Sequence, residues 1–184
     1  LRSELVTGYL DDASMAGRAA SVANDFKNLE REAERIGLQM NRSKCEVIGH
    51  IDETRALFAS LRITLPETTR ETAVFLGSPL TAGHHLDSVL EGKRSELQRL
   101  TNRLKLMPSH DCLYLLRNIL TAPRLVYLLR TAPCTNSCEL PRYDAVLRQS
   151  LSLTLNIDLT DTRWNQASLP VRWGGLGIRG VALL

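Results

Sequence analysis

The sequence predicts an α+β fold in which a few antiparallel strands, with one helix packed on them, precede a bundle of helices. Three observations predict it. The apolar run Leu5-Val6-Thr7-Gly8-Tyr9-Leu10 leads directly into Asp11-Asp12, a strand entering a turn where aspartates accept unusual backbone angles. Val22, Phe26, Leu29, Ala33 and Ile36 recur at spacings of four and three, the period of an amphipathic helix. Beyond residue 86, leucines repeat at helical spacing to the end of the long charged segments.

In chain order, the strand over residues 5–10 places the two carboxylates of Asp11 and Asp12 at a hairpin tip. The helix that follows carries Asp25, Lys27, Glu30, Arg31, Glu32, Glu34 and Arg35 between its apolar positions, and Gly37 suits a left-handed end. Leu38-Gln39-Met40 is then extended, Asn41-Arg42-Ser43 turns, and residues 45–48 form the returning strand. A short helix over 54–61, a strand over 62–65 and a threonine-rich turn after Pro66 follow. Val74 to Leu80 reads as a strand entering a tight turn closed by Gly77 and Pro79, and the chain divides just after it, into 1–80 and 81–184.

The second part is helical. Leu86, Leu90, Leu97, Leu100 and Leu104 define one face of a helix that breaks near Pro108, with Ser109 or Asp111 to cap the next. That helix runs through Leu113, Leu116, Ile119 and Leu120 and is interrupted at Pro123, which lacks a backbone donor. A third starts from Ser137 and continues through Leu140, Leu147 and Leu151, with Pro141 tolerated in its first turn. Gly174, Gly175 and Gly177 make the last segment turn-rich; no Lys-Ser/Thr follows them, so a phosphate loop is disfavoured.

Composition sets the outer bounds. A chain of 184 residues with 43% hydrophobic and 23% charged residues is ordinary globular material, long enough to bury roughly 70% of its unfolded surface. Aromatics are only 5%, so the core is aliphatic. Twenty-three basic against 20 acidic residues give +3, which permits a nucleic-acid partner without demanding one. The four cysteines include one Cys134-x3-Cys138 pair with no histidine pair beside it, which disfavours zinc. His84 and His85 read as solvated loop residues. Trp164 and Trp173 read as packing residues, unless exposed on a basic face. The expectation is a soluble intracellular protein, nuclear or cytoplasmic, with reduced thiols and no membrane partner, since no apolar run approaches about 20 residues.

Two adjacent carboxylates on a turn are more often solvated than functional. They have one notable use: oxygen ligands of this kind suit Mg²⁺, which keeps waters and binds substrate phosphates. In a two-metal site the ions lie about 3.5–4 Å apart and clamp the oxygens of an in-line displacement, which requires a further carboxylate.

The order of segments adds to this. Tyr9-Leu10-Asp11-Asp12 after a strand, an amphipathic helix, Gly37-Leu38-Gln39-Met40-Asn41-Arg42-Ser43-Lys44-Cys45-Glu46, and then Phe75-Leu76-Gly77 resemble successive palm motifs of reverse transcriptases. The ending Leu-Pro-Val-Arg-Trp-Gly-Gly-Leu-Gly-Ile resembles the region after the thumb in non-LTR-type retroelements. The resemblance implies a partial polymerase palm followed by an α-helical thumb and connection, performing RNA-directed DNA synthesis by nucleotidyl transfer.

It implies Asp11 and Asp12 as catalytic ligands of Mg²⁺ (or Mn²⁺), with Tyr9 beside the primer end. Lys44 would approach the incoming triphosphate, and Phe75, Leu76 and Gly77 would grip the primer. The implied partners are an RNA or DNA template with its primer and deoxynucleoside triphosphates. Arg94, Arg99, Arg103 and Lys105 on one helix, with Arg117, Arg124 and Arg130 on the next, would hold duplex phosphates; interleaved with Glu91, Glu96 and Asp111, they read equally as a solvated face.

The other catalytic aspartate and the nucleotide-enclosing fingers have no candidate here. The expectation is therefore a fragment, inactive alone, that needs the upstream palm and fingers of a parent protein and exposes the bare edge of the residue 5–10 strand. The competing readings are a non-catalytic nucleic-acid-binding or structural remnant, and an unrelated α+β domain.

Overall fold

A computed structural model describes residues 1–9, 11–49, 51–63 and 67–182, in two units, Leu1–Arg70 and Glu71–Leu184. In the first, β1 (Leu5–Tyr9) and β2 (Asp12–Ala16) pair antiparallel, from Leu5 opposite Ala16 to Tyr9 opposite Asp12. The predicted hairpin is thus present, closed by a two-residue connection; Leu10 lies outside the described residues. β1 is exposed along its whole length, Leu5 and Val6 included.

Helix α1 (Ala19–Arg35) follows, burying Ala23, Asp25 and Phe26. It ends as predicted: Gly37, at φ +82°, lets Leu38 N–H reach the carbonyl of Ala33 and Gly37 N–H that of Glu34, satisfying the last turn. Ile36 is 75% exposed, against the expectation that it completes the apolar face, because it already stands at the helix end.

A 3₁₀ turn (Arg42–Lys44), β3 (Val47–Ile48), α2 (Ile51–Ser60) and β4 (Glu67–Thr68) complete this unit. β3 does not return antiparallel to β1: it pairs in parallel with β4, since α2 provides the crossover that a parallel pair requires. The strand predicted over 62–65 is also corrected at its start. Arg62 is left-handed (φ +55°), its N–H and that of Ile63 bonding back to Ala59 and Phe58, so the helix end takes this backbone. Residues 64–65 lie outside the described residues. Ala23, Phe26, Phe58 and Ile63 form the core, with Met15 of β2 and Met40 against it.

The second unit opens with β5 (Val74–Phe75) and β6 (Ser78–Pro79), an antiparallel hairpin turned by Leu76 (φ +49°) and Gly77 (φ +78°). Two positive φ values are the signature of the turn whose twist matches a two-residue hairpin. The predicted division after residue 80 falls beyond this hairpin, whereas the unit boundary falls before it. The hairpin is fastened to the helices by the Tyr127 hydroxyl, donating to the Leu76 carbonyl, and by Thr131 Oγ1, 2.9 Å from Ser78 Oγ.

Next come α3 (His84–Leu104), α4 (Ser109–Leu115) with a π-helical extension over Leu116–Leu120, a 3₁₀ turn at Ala122–Arg124 and α5 (Val126–Thr131). The break at Pro123 is where the sequence predicts it. His84 and His85 begin α3 instead of lying in a loop, and neither Ser109 nor Asp111 caps α4, whose N-cap is Pro108. The helical stretch Ser109–Thr131 is long and apolar enough to span a membrane by length and composition alone, a test that a core helix also passes. Its Cys112, Leu116, Leu120, Leu125 and Leu128 belong to the core of this unit.

Helix α6 (Glu139–Leu155) has Cys138 at its N-cap instead of the expected Ser137, whose hydroxyl nevertheless accepts from Glu139 N–H and donates to Asp87 of α3. α7 (Asp161–Ser168), which the reading of the sequence does not anticipate, starts at Thr160, whose hydroxyl accepts from Arg163 N–H. Among the described residues the fold is mixed α+β, mostly helical, with two small antiparallel hairpins.

Candidate functional site

The β1–β2 hairpin is built to present its tip. At its base, Asp25 Oδ2 accepts from Arg2 N–H at 2.6 Å, Ser3 N–H at 2.6 Å and Ser3 Oγ at 2.7 Å, tying the approach to β1 onto α1. The Ser3 hydroxyl bond is the main cause that holds the Asp25 carboxyl below its ordinary range, against the opposing effect of burial. On the other strand, Met15 packs on the Phe26–Phe58 core. The tip is left free: Tyr9, Asp11 and Asp12 are all exposed. Tyr9 and Asp12 stand directly opposite in the ladder, so their side chains leave the same face.

Two exposed neighbouring carboxylates fit the share of a Mg²⁺ shell that protein normally supplies when waters and phosphates fill the rest. Among the described residues no three His, Cys, Asp or Glu side chains gather as a metal site. Two carboxylates on one turn do not by themselves make a closed metal cage.

Lys44 is exposed at the end of the 3₁₀ turn Arg42–Lys44. That turn is fixed twice: Asn41 Oδ1 accepts from Ser43 N–H and Oγ, and Arg42 grips Glu30 of α1 through two 2.7 Å bonds. This bidentate pair lowers the Glu30 pKa and raises that of Arg42. Tyr9, Asp11 and Asp12 are thus brought together, while Lys44 is held on a separate turn of the same unit.

Phe75, Leu76 and Gly77 form the tip of the second hairpin, in the second unit, with Phe75 and Leu76 exposed and Leu76 clasped by Tyr127. The arginines divide into two groups. Arg94 donates to Glu139 at 2.7 Å and Glu91 at 3.1 Å, and Arg142 also reaches Glu139. Glu139 is buried, and Arg94 foremost holds its carboxyl below the ordinary range. Arg124 pairs with Glu96 in the same way. The first pair joins α3 to α6 and the second ties the 3₁₀ turn to α3, so a groove-facing stripe cannot include these arginines unless the pairs open. Arg103 and Arg117 are exposed, as are Arg99 and Arg130.

No family model, curated protein or solved structure matches this chain. Reading the sequence overlooks two residues with positioning roles, Asp25 and Tyr127. Asp25 carries a usable signal: Val22, Asp25, Phe26 and Leu29 have the i, i+3, i+4, i+7 spacing of one helix face, which places a charge where only a partnered one is tolerated. Tyr127 has no local signal, since its acceptor is 51 residues away.

Proposed function

We propose that this chain is the C-terminal palm and thumb of a reverse transcriptase of the non-LTR retroelement type, contributing Asp11 and Asp12 to a metal centre that other segments complete. The observation that carries the reading is the exposed Asp11-Asp12 pair at the tip of a two-stranded antiparallel hairpin, with Tyr9 across from Asp12. The order of the remaining segments supports it: a packed amphipathic helix, a turn bearing Lys44, and a second hairpin ending at Phe75, Leu76 and Gly77 beside a helical unit. Such a chain alone is inactive, because two carboxylates on one turn leave a two-metal site unfinished.

In this reading Asp11 and Asp12 hold Mg²⁺ (or Mn²⁺) together with waters and substrate phosphate oxygens. The ion, when bound, neutralises phosphate charge and lowers the pKa of a bound hydroxyl. Lys44 approaches the triphosphate, and Phe75, Leu76 and Gly77 contact the primer end. Arg103 and Arg117 are among the exposed cations available for backbone phosphates of an RNA or DNA template with its primer, a contact that weakens as salt rises.

Paramagnetic broadening by Mn²⁺ tests the metal role on the chain itself. Amide signals at and beside Asp11 and Asp12 should broaden selectively at substoichiometric Mn²⁺, and the Asp11→Asn, Asp12→Asn double variant should lose the effect. Broadening spread over other acidic surfaces, unchanged in the variant, would favour a nucleic-acid-binding remnant without a metal centre.

A further inference from the structure

Trp173 is 61% exposed, the most exposed position for a large aromatic after Tyr114 and Tyr9 in a chain that has few of them. The Arg172 guanidinium lies over the indole, 4.9 Å from its centroid. This pair does not sit on a loose tail. Gly174 and Gly175 return the chain onto α7, where Leu176 N–H and Ile178 N–H bond to Ala167 O and Gly177 N–H bonds to Leu169 O. Gln166 Nε2 also donates to the Gly174 carbonyl at 2.9 Å. The approach is so close that a Cβ on Gly175 would stand 2.0 Å from the Leu169 oxygen. Ile178 and Val181, both 1% exposed, anchor the segment in the core. The fold thus braces an indole that it does not itself bury.

The segment that carries Trp173 is cationic. Residues 162–182 contain Arg163, Arg172 and Arg179 and no acidic residue. The π-helical extension of α4 adds Arg117, whose Nε lies 3.1 Å from where a Gly177 Cβ would be. The acid that approaches from α6, Asp144, is already engaged by the amides of Val181 and Ala182.

We propose that Trp173, with Arg172 and Arg117, is a stacking platform for unpaired bases of single-stranded nucleic acid. A braced aromatic face beside arginine cations offers what such a strand requires. Every base has a π-face to stack, and the guanidiniums meet the phosphates. A duplex lacks the free base face. The site lies wholly in the second unit and does not depend on Asp11 and Asp12; it shares Arg117 with the phosphate contacts of the polymerase reading, and the Trp173→Ala and Arg172→Ala arms below separate the two.

Two measurements test it. In a Trp164→Phe chain Trp173 is the sole tryptophan, and its emission should be quenched, saturably, by oligo(dT) or oligo(U). Because Trp164 packs against the core, the second measurement keeps it: fluorescence anisotropy of a labelled oligo(dT) with the native chain and with Trp173→Ala, Arg172→Ala and Arg117→Ala. Trp173→Ala should weaken binding on the order of tenfold, each arginine variant should flatten the salt dependence, and duplex DNA should compete poorly. Unchanged affinity in Trp173→Ala, equal competition by duplex, or Trp173 emission that answers to an apolar peptide and not to the oligonucleotides would overturn the proposal.

Discussion

Asp25 and Ser3 are joined twice through one carboxylate oxygen, Oδ2, which accepts the Ser3 amide at 2.6 Å and the Ser3 hydroxyl at 2.7 Å. Ser3 lies two residues before β1, so this contact sets where the Asp11-Asp12 hairpin leaves α1. The bonds favour the ionised form and lower the folded pKa below its ordinary value of 3.8. A carboxyl lowered on folding stabilises fully above its unfolded pKa, and that stability is lost as the pH falls through the folded value. Thermal melts should therefore show the native chain losing stability below about pH 4. Asp25→Asn should melt lower at pH 7 and show a shallower acid limb. An Asp25→Asn chain that matches the native one at pH 7 would remove the anchoring role.

Tyr127 holds the other hairpin by its Leu76 carbonyl, at a residue with φ +49°. A left-handed leucine is costly by about 1–2 kcal/mol, which neighbouring contacts must offset. Tyr127→Phe should raise amide hydrogen exchange across residues 73–80 with a global loss of only about 1 kcal/mol. Uniformly faster exchange throughout the helices would instead make Tyr127 a general packing residue.

Two glycine substitutions should move stability in opposite directions. Gly175→Ala places a methyl 2.0 Å from Leu169 O and 2.7 Å from Gln166 O, both backbone atoms, so the turn must shift. A loss above about 3 kcal/mol is expected in denaturant unfolding. Gly92, inside α3 and exposed, has nothing within 4 Å of an added Cβ, and Gly92→Ala should stabilise by about 0.5–1 kcal/mol. Similar effects from both would contradict the close return of the chain onto α7.

Much of this arrangement is legible in the sequence where a pattern is local. The hairpin tip at Asp11-Asp12, the left-handed Gly37, the break at Pro123 and the glycine-rich return near Trp173 all follow from residues within a few positions of each other. What is not legible depends on distant partners. Val47 and Ile48 look like any short strand, and only the crossover through α2 decides that they pair in parallel with Glu67 and Thr68. Arg94 and Arg124 read as free cations because Glu139 and Glu96, which bind them, belong to other helices. Trp173 reads as a core residue from its type alone, and its exposure is set by the return of the chain onto α7, which the residue type does not signal.

Primer extension tests the metal-hairpin assignment most directly. The polypeptide that joins this chain to an upstream palm and fingers would be given Mg²⁺, an RNA template, a primer and deoxynucleoside triphosphates, beside its Asp11→Ala, Asp12→Ala counterpart. Extension that the double variant loses, with its fold intact by circular dichroism, is the predicted result. Extension that persists in the variant, or none from a well-folded native protein, would contradict the assignment of Asp11 and Asp12 to a polymerase centre.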